Sequence, residues 1–476
     1  MLFNSFNFLI FFPVVTLVYF LLPHRFRWMM LLLASCIFYM AFIPAYILIL
    51  FVTIVVDYFA GIMIENSADS KKKFYLIVSI VSTCLVLFIF KYFNFFNSSF
   101  ASIANFFDLR YPIGIFNIIL PIGLSFHTFQ SLSYVIEVYR GNQKAERHFG
   151  IYSLYVMFYP QLVAGPIERP SNLLPQFFEK HSFDYQRVTS GLRLMLWGFF
   201  KKIVIADRLA VFVNEVYGNP GSYNSISLIV ATLFFSFQIY CDFSGYSDIA
   251  IGAARVMGFK LMRNFRTPYY SKSISEFWKR WHISLSTWFR DYLYIPLGGN
   301  RVSKFRNYFN IFFIFLVSGL WHGANWTFIV WGALHGFYMV AEKIIRGLKS
   351  SMPKFIWKNL IPSRTIKILM TFFLVNFSWI FFRSESLSDS MIIMRKIFSL
   401  DLSGISIFSF NKNQLAIGVC AILVMEIVQL IQEKGLIDNF LYKRPIFVRW
   451  VVYYLCIMGI LAFGEFRAQD FIYFQF

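Results

Sequence analysis

Two histidines, His282 and His322, lie in segments that are otherwise apolar and aromatic. Imidazole has an unperturbed pKa of about 6.5, so it can take a proton from a reacting group at neutral pH. Tryptophans at helical spacing surround His282, and a glycine lies close on each side of His322. The pair therefore predicts general acid–base chemistry in an apolar environment.

The segment 276–290 carries His282, and we interpret it as a single helix. Its aromatic face is formed by residues that recur at steps of three and four: Trp278, Trp281, Leu285 and Trp288. This periodicity places His282 on or beside the apolar face. An interfacial helix is the plainer interpretation, because aromatic side chains favour that depth of a bilayer. It leaves the buried imidazole unexplained.

The glycines beside His322 have no side chain, so a substrate or the backbone of another helix can approach this segment closely. Trp321 and Asn325 are its polar or aromatic neighbours, and we expect them to shape a pocket. His335 repeats the pattern less clearly. We interpret His335 as a packing residue or as support for the site.

Two carboxylates, Asp242 and Asp248, interrupt an apolar span at 238–248. Unsatisfied polar groups are costly inside a membrane, so these side chains must have partners. Our main interpretation is an interhelical hydrogen-bond cluster, helped by small residues that let helices approach. Support of a site built elsewhere and a direct catalytic role are the alternatives.

Composition places these segments in a membrane. Of the 476 residues, 58% are hydrophobic and 14% are charged, and 62 are Phe, whereas soluble domains carry about 25% charged residues. One soluble core of this size cannot bury so much apolar surface. Apolar blocks near the length of a membrane span lie at 6–22, 28–43, 45–64, 74–92, 113–135, 191–215, 226–250, 308–326, 328–342, 366–382, 413–432 and 449–464.

The blocks predict an all-α polytopic membrane protein of about 11–12 transmembrane or re-entrant helices in a single domain, 1–476. A shorter block, 150–163, is interpreted as half-spanning or interfacial. We expect 6–22 to be a retained spanning helix, because it lacks the basic leader and cleavage site of a signal peptide.

Basic residues predict the orientation. Of the 44 Lys and Arg residues, 37 fall in loops at 25–27, 65–73, 140–147, 169–208, 255–306, 343–367 and 434–449. By the positive-inside rule these loops are cytoplasmic and both termini lie outside. The same bias explains most of the formal charge of +20, so nucleic-acid binding is not needed to explain it. The five cysteines have no metal-ligand spacing, and we predict no metal site.

Several ordered motifs together resemble the bacterial branch of the membrane-bound O-acyltransferases, and within it the alginate O-acetyltransferase group of inner-membrane proteins. The likeness extends over about 120–340 and the C-terminus. It is carried by the runs at 163–169, 240–248, 264–269, 277–286, 319–323 and 471–476.

The resemblance implies that His282 and His322 are the active-site pair, with His322 as the essential base. It implies a many-helix bundle with a central funnel in a bacterial inner membrane. The donor would be acetyl-CoA, a co-substrate, with no cofactor. Partner proteins outside the membrane would then place the acetyl group on an exopolysaccharide.

Histidine suits acyl transfer because a thioester is already activated, so neither a covalent nucleophile nor a metal is required. We expect His322 to abstract the proton of the acceptor hydroxyl and His282 to orient or polarise the thioester. Trp278 is expected at the substrate. Electrostatic capture of the anionic donor is one interpretation of the basic cluster, and topology alone is the other; the cluster comprises Arg263, Arg266, Lys272, Lys279 and Arg280.

Three alternatives stay open on the sequence. A D-alanyl transferase for teichoic acid would take its acyl group from a carrier protein. A polysaccharide or lipid transporter would predict repeated halves, and we detect none. A scaffold for an export complex would have no use for buried histidines. The aromatic tail at 471–476 is either an interfacial anchor or a docking segment for an extracytoplasmic partner.

Overall fold

The protein is almost entirely helical. The computed structural model describes residues 1–116, 120–350, 363–433, 444–466 and 471–472. Over these ranges the backbone forms helices, one isolated bridge between Tyr223 and Ile405, and no β-strand. The predicted all-α class is confirmed.

We number the α-helices of the described ranges in chain order. They are α1 Phe6–Leu21, α2 His24–Met40, α3 Ile47–Asn66, α4 Asp69–Leu87, α5 Phe93–Phe106, α6 Leu124–Tyr139, α7 Phe149–Met157, α8 Tyr159–Leu162, α9 Pro170–Leu173, α10 Tyr185–Phe199, α11 Asp207–Gly218, α12 Ser225–Met257, α13 Ile274–Trp278, α14 Ile283–Phe289, α15 Lys304–His322, α16 Trp326–Ser350, α17 Arg364–Arg383, α18 Leu387–Phe398, α19 Lys412–Glu433 and α20 Ile446–Phe463. Three π-helical segments adjoin them: Phe88–Tyr92, Phe200–Ala206 and Arg290–Tyr294.

Seven helical segments of the described chain are long and apolar enough to cross a membrane. They are Pro44–Asn66, Asp69–Phe106, Ser225–Met257, Trp326–Leu348, Arg364–Arg383, Lys412–Gln432 and Ile446–Phe463. In the last of these only 6% of the apolar window is buried within the protein, as expected for a helix that faces lipid, against 72% in α12. The other predicted blocks coincide with helices that are shorter or more polar, such as α1 and α15.

Some predicted boundaries were wrong. The block 113–135 is helical only from Leu124, because Pro121 and the left-handed Gly123 (φ +79°) precede the helix; residues 117–119 lie outside the described ranges. The block 74–92 continues as helix to Phe106 through a π-helical turn. Helix α18 was not predicted, because its twelve residues are too few and too polar to read as a span.

The chain divides into two compact units. The first comprises Met1–Met195 and Ile249–Met262, and the second comprises Leu196–Asp248 and Arg263–Phe476. Inside the first unit His127 is buried, and its Nε2 lies 2.5 Å from the hydroxyl of Thr53. Both candidate catalytic histidines belong to the second unit.

Close backbone packing sets the position of His322 within the second unit. Helices α15 and α16 form an antiparallel pair whose contact is built on glycines. A Cβ on Gly319 would lie 2.3 Å from the carbonyl oxygen of Phe328, and a Cβ on Gly332 would lie 2.3 Å from that of Phe315. Only glycine permits this approach, which occurs one turn before His322.

Candidate active site

His282 lies in a tight turn rather than inside a helix. The predicted single helix at 276–290 is wrong: α13 ends at Trp278 and α14 begins at Ile283. His282 itself has φ +44°, in the left-handed region that side chains rarely adopt. The turn is joined to a neighbouring segment by backbone bonds from Ile283 N to Asn264 O and from Arg266 N to Arg280 O, both 2.9 Å.

The imidazole of His282 is fully buried and packs against aromatic rings. Its exposed fraction is 0%. The ring of Phe243 meets it edge-on at a centroid distance of 4.5 Å, and Phe265 lies at 6.3 Å. Burial lowers the pKa of His282, which lies outside the seven candidate spans, to about 3. The imidazole is therefore neutral at physiological pH.

The side chain of Asn264 contacts the other edge of this ring, at Nδ1. The Asn264 side-chain oxygen lies 3.1 Å from Nδ1 of His282, 2.9 Å from Oγ of Ser284 and 3.2 Å from the backbone nitrogen of Ser284. The Asn264 amide nitrogen lies 3.3 Å from Oγ of Ser247. Asn264 is 0% exposed. The sequence placed Asn264 in a motif without giving it a role.

His322 is the last residue of α15 and is 3% exposed. Its imidazole meets the rings of Trp331 at 5.0 Å and Phe382 at 5.3 Å, both nearly perpendicular. The indole of Trp321 lies 4.8 Å from the His322 ring and 6.2 Å from the His282 ring, measured between centroids. The structure thus brings both predicted histidines against one tryptophan, although 40 residues separate them in sequence.

Trp278 and His335 form a separate contact in the same unit. The indole nitrogen of Trp278 donates to Nδ1 of His335 at 3.3 Å. The His335 ring lies 4.9 Å from that of Trp331, which in turn touches His322. This arrangement agrees with His335 as a packing or supporting residue. The expected contact of Trp278 with substrate stays a prediction.

Asp242 forms a buried ion pair, and Asp248 forms one that is partly exposed on the carboxylate side. Lys202 lies 2.6 Å from Asp242 and 2.8 Å from Asp207, and Lys201 lies 2.6 Å from Asp248. The two lysines project from the π-helical segment between α10 and α11. These pairs join the π-helical segment to α12, and the role of the two carboxylates stays a prediction.

The lysine partners were missed by sequence reasoning. Lys201 and Lys202 were counted within the cytoplasmic loop 169–208, yet they are 3% and 6% exposed inside a helix. The signal was present, because two adjacent lysines in the apolar run 199–206 must be neutralised by nearby carboxylates.

The C-terminal tail also reaches this cluster. The backbone nitrogen of Ile472 donates to Oδ2 of Asp242 at 2.8 Å. The ring of Phe471 lies 5.0 Å from that of Tyr246 and 6.0 Å from that of Phe243. Both tail residues are 1% exposed, so an exposed anchor or docking role is wrong for them. Residues 473–476 lie outside the described ranges.

The remaining predicted residues are the basic cluster and Asn325. Arg263, Arg266, Lys272 and Lys279 are exposed. Arg280 is half-buried and pairs with Glu276 at 2.8 Å. Asn325 accepts from Thr327 N at 3.0 Å and donates to the carbonyl of Glu385 at 2.8 Å. These bonds make Asn325 a helix-capping residue of α16, and its predicted role in the pocket stays a prediction.

The chain is similar to several known proteins. The sequence model of the membrane-bound O-acyltransferase family matches residues 147–383, which contain both histidines. A probable alginate O-acetylase of Pseudomonas aeruginosa is 40% identical over 405 residues, which cover 84% of this chain and 75% of the relative. A peptidoglycan O-acetyltransferase of Helicobacter pylori is 34% identical over 480 residues, 94% and 87% of the two chains. A teichoic acid D-alanyltransferase of Streptococcus thermophilus is 32% identical over 241 residues, 46% of this chain and 56% of the relative.

Proposed function

Because the chain belongs to the membrane-bound O-acyltransferase family, we propose that it transfers an acetyl group from cytoplasmic acetyl-CoA to a hydroxyl of an extracytoplasmic polysaccharide system. That it is a multi-pass membrane O-acyltransferase follows from the family and from its candidate spans. The acetyl group is favoured because two relatives that cover most of the chain are named for O-acetyl transfer.

One observation carries the catalytic assignment: Trp321 contacts both imidazoles in a buried aromatic environment. Histidines with a water-exposed role would not be buried to 0% and 3%. A low-dielectric site strengthens every electrostatic contact with the reacting atoms. It also excludes water, which would otherwise compete with the acceptor for the acyl group.

The proposed reaction needs one proton acceptor. The acceptor hydroxyl attacks the thioester carbonyl carbon while His322 takes the hydroxyl proton. The tetrahedral intermediate collapses, the carbon–sulfur bond breaks, and coenzyme A leaves as a thiolate. That thiolate receives the proton from His322, so the products are an acetyl ester and coenzyme A. His282 orients or polarises the thioester.

In this proposal, basic residues attract the negatively charged acetyl-CoA. Four exposed basic residues near the His282 turn could attract the phosphates of coenzyme A: Arg263, Arg266, Lys272 and Lys279. Arg280 is less available, because Glu276 already pairs with it. The positive-inside bias remains a sufficient alternative explanation for these charges.

The cellular setting follows from the same proposal. We propose a bacterial inner membrane location with the basic loops in the cytoplasm and both termini outside. Extracytoplasmic accessory proteins would then carry the acetyl group to an exopolysaccharide. Relatives named for alginate and for peptidoglycan leave the identity of the polymer open.

D-alanyl transfer is the second candidate, because one relative bears that name. Its similarity covers 46% of this chain, against 84% for the alginate relative. Purified protein should be given a polysaccharide acceptor together with acetyl-CoA labelled in the acetyl group or, separately, with a D-alanyl carrier protein. Turnover of acetyl-CoA without any carrier supports the proposal. Turnover of the loaded carrier alone contradicts it.

A further inference from the structure

Asn264 determines which nitrogen of His282 carries the proton. The backbone N–H of Ser284 can only donate, and it points at one atom of the Asn264 amide at 3.2 Å. That atom must be the oxygen, because an amide NH₂ facing another N–H would place two donors in contact. The opposite end of the amide meets Oγ of Ser247 at 3.3 Å, as expected for the NH₂ group.

The oxygen in turn decides the tautomer. An amide oxygen cannot donate, so the 3.1 Å contact between it and His282 is a hydrogen bond donated by Nδ1. A neutral imidazole has one N–H, and His282 is buried in a way that keeps it neutral. Nε2 therefore carries the lone pair and can only accept.

We propose, on the basis of the function proposed above, that Asn264 is a positioning residue that holds His282 in the Nδ1–H tautomer, so that Nε2 accepts a hydrogen bond from an O–H or N–H group of the bound substrate. In this form His282 orients a substrate. It does not polarise the thioester carbonyl, because polarisation needs a donor.

The backbone contacts point to the same role. His282 sits at φ +44°, in the left-handed region, where a residue that carries a side chain is strained. The carbonyl of Asn264 accepts from Ile283 N at 2.9 Å, directly after the strained residue. The backbone carbonyl of Asn264 thus stabilises the turn that orients the imidazole, and its side-chain oxygen accepts the hydrogen bond that fixes the tautomer.

A spectroscopic test is independent of activity. Protein labelled with ¹⁵N in its seven histidines distinguishes protonated from unprotonated ring nitrogens, and the signals of His282 are those that disappear in His282→Ala. Wild type should show a protonated Nδ1 and an unprotonated Nε2. Asn264→Leu should change this pair toward the other tautomer. A protonated Nε2 in wild type, or an unchanged pair in Asn264→Leu, overturns the proposal.

Kinetics supply the second readout. Asn264→Leu should lower kcat by about 10–100-fold with little change in KM for acetyl-CoA, the effect seen for residues that orient metal-ligating histidines. Asn264→Asp keeps the acceptor, so it should retain the wild-type tautomer even if Asn264→Leu fails to fold. Its carboxylate favours the imidazolium, so the acid limb of the pH–rate profile should move to higher pH. A profile at the wild-type position contradicts the proposal.

Ser247→Ala is the matched control. It removes the contact at the amide nitrogen and leaves the oxygen untouched. It should keep the wild-type tautomer and most of the activity, whereas a loss equal to that of Asn264→Leu would reduce Asn264 to a packing residue and overturn the proposal. A wild type that fails to use acetyl-CoA would refute the proposed donor, and the ¹⁵N result would still decide the tautomer.

Discussion

The backbone nitrogen of Ile472 donates to the carboxylate of Asp242 at 2.8 Å, across 230 residues of sequence. This bond joins the tail of the chain to a buried charge cluster on α12. The preceding residue, Phe471, packs near Phe243, whose ring meets His282 edge-on. The tail therefore packs against Phe243, an aromatic side chain that contacts His282.

Removing residues 471–476 should lower acyl transfer by about 10-fold or more, because small displacements of a catalytic group have large kinetic effects. The rate should be measured at saturating acetyl-CoA in detergent. Phe466→Ala is the control, since Phe466 is 61% exposed. Equal activity of the truncated and full-length proteins would show that the tail does not position His282.

Lys202→Met should destabilise the protein by about 3–5 kcal/mol, because it leaves Asp207 and Asp242 buried without their shared cation. The loss would appear as a lower midpoint of thermal unfolding in detergent. Lys72→Met removes a cation whose partner, Asp69, is 97% exposed, and should cost less than about 1 kcal/mol. Similar midpoints for the two variants would be inconsistent with a buried ion pair.

Gly319→Ala should both destabilise the α15–α16 pair and reduce activity. The new Cβ would lie 2.3 Å from a backbone oxygen, which cannot move aside cheaply, and the resulting shift would be passed to His322 one turn later. A cost of about 1–3 kcal/mol is expected. Gly459→Ala, on α20, where no described atom outside the helix backbone lies within 4 Å of an added Cβ, should be neutral or slightly stabilising. Thermal unfolding and acetyl transfer of both variants decide the point.

Composition and apolar blocks were sufficient to predict the helical membrane fold, because a span of this length has few alternatives in lipid. They were insufficient at helix ends. The interruption at Gly123 and the continuation through Phe106 depend on local turns and polar contacts that hydropathy averages away. Asn94, for instance, donates to the carbonyl of Phe116 at 2.7 Å and so is tolerated in an otherwise apolar helix.

The two histidines were recognisable in advance, because an imidazole in an apolar segment needs a reason to be there. Asn264 was harder to recognise. It acts through a hydrogen bond across 18 residues, and no periodicity connects it to His282. The break of the helix before His282 was also hidden, because the tryptophan spacing at 278, 281, 285 and 288 fits one continuous helix equally well.

The most direct test is the transfer of label from radiolabelled acetyl-CoA to a polysaccharide acceptor supplied with the purified protein, with wild type, His322→Ala and His24→Ala measured side by side. His24 is the control because it belongs to the first compact unit, where its Nε2 contacts the carbonyl of Phe178, whereas both candidate catalytic histidines belong to the second. Wild type and His24→Ala should transfer the label, and His322→Ala should be slower by about 10²–10⁴-fold while remaining folded and monodisperse. Wild-type turnover by His322→Ala would contradict the central claim that His322 is the base.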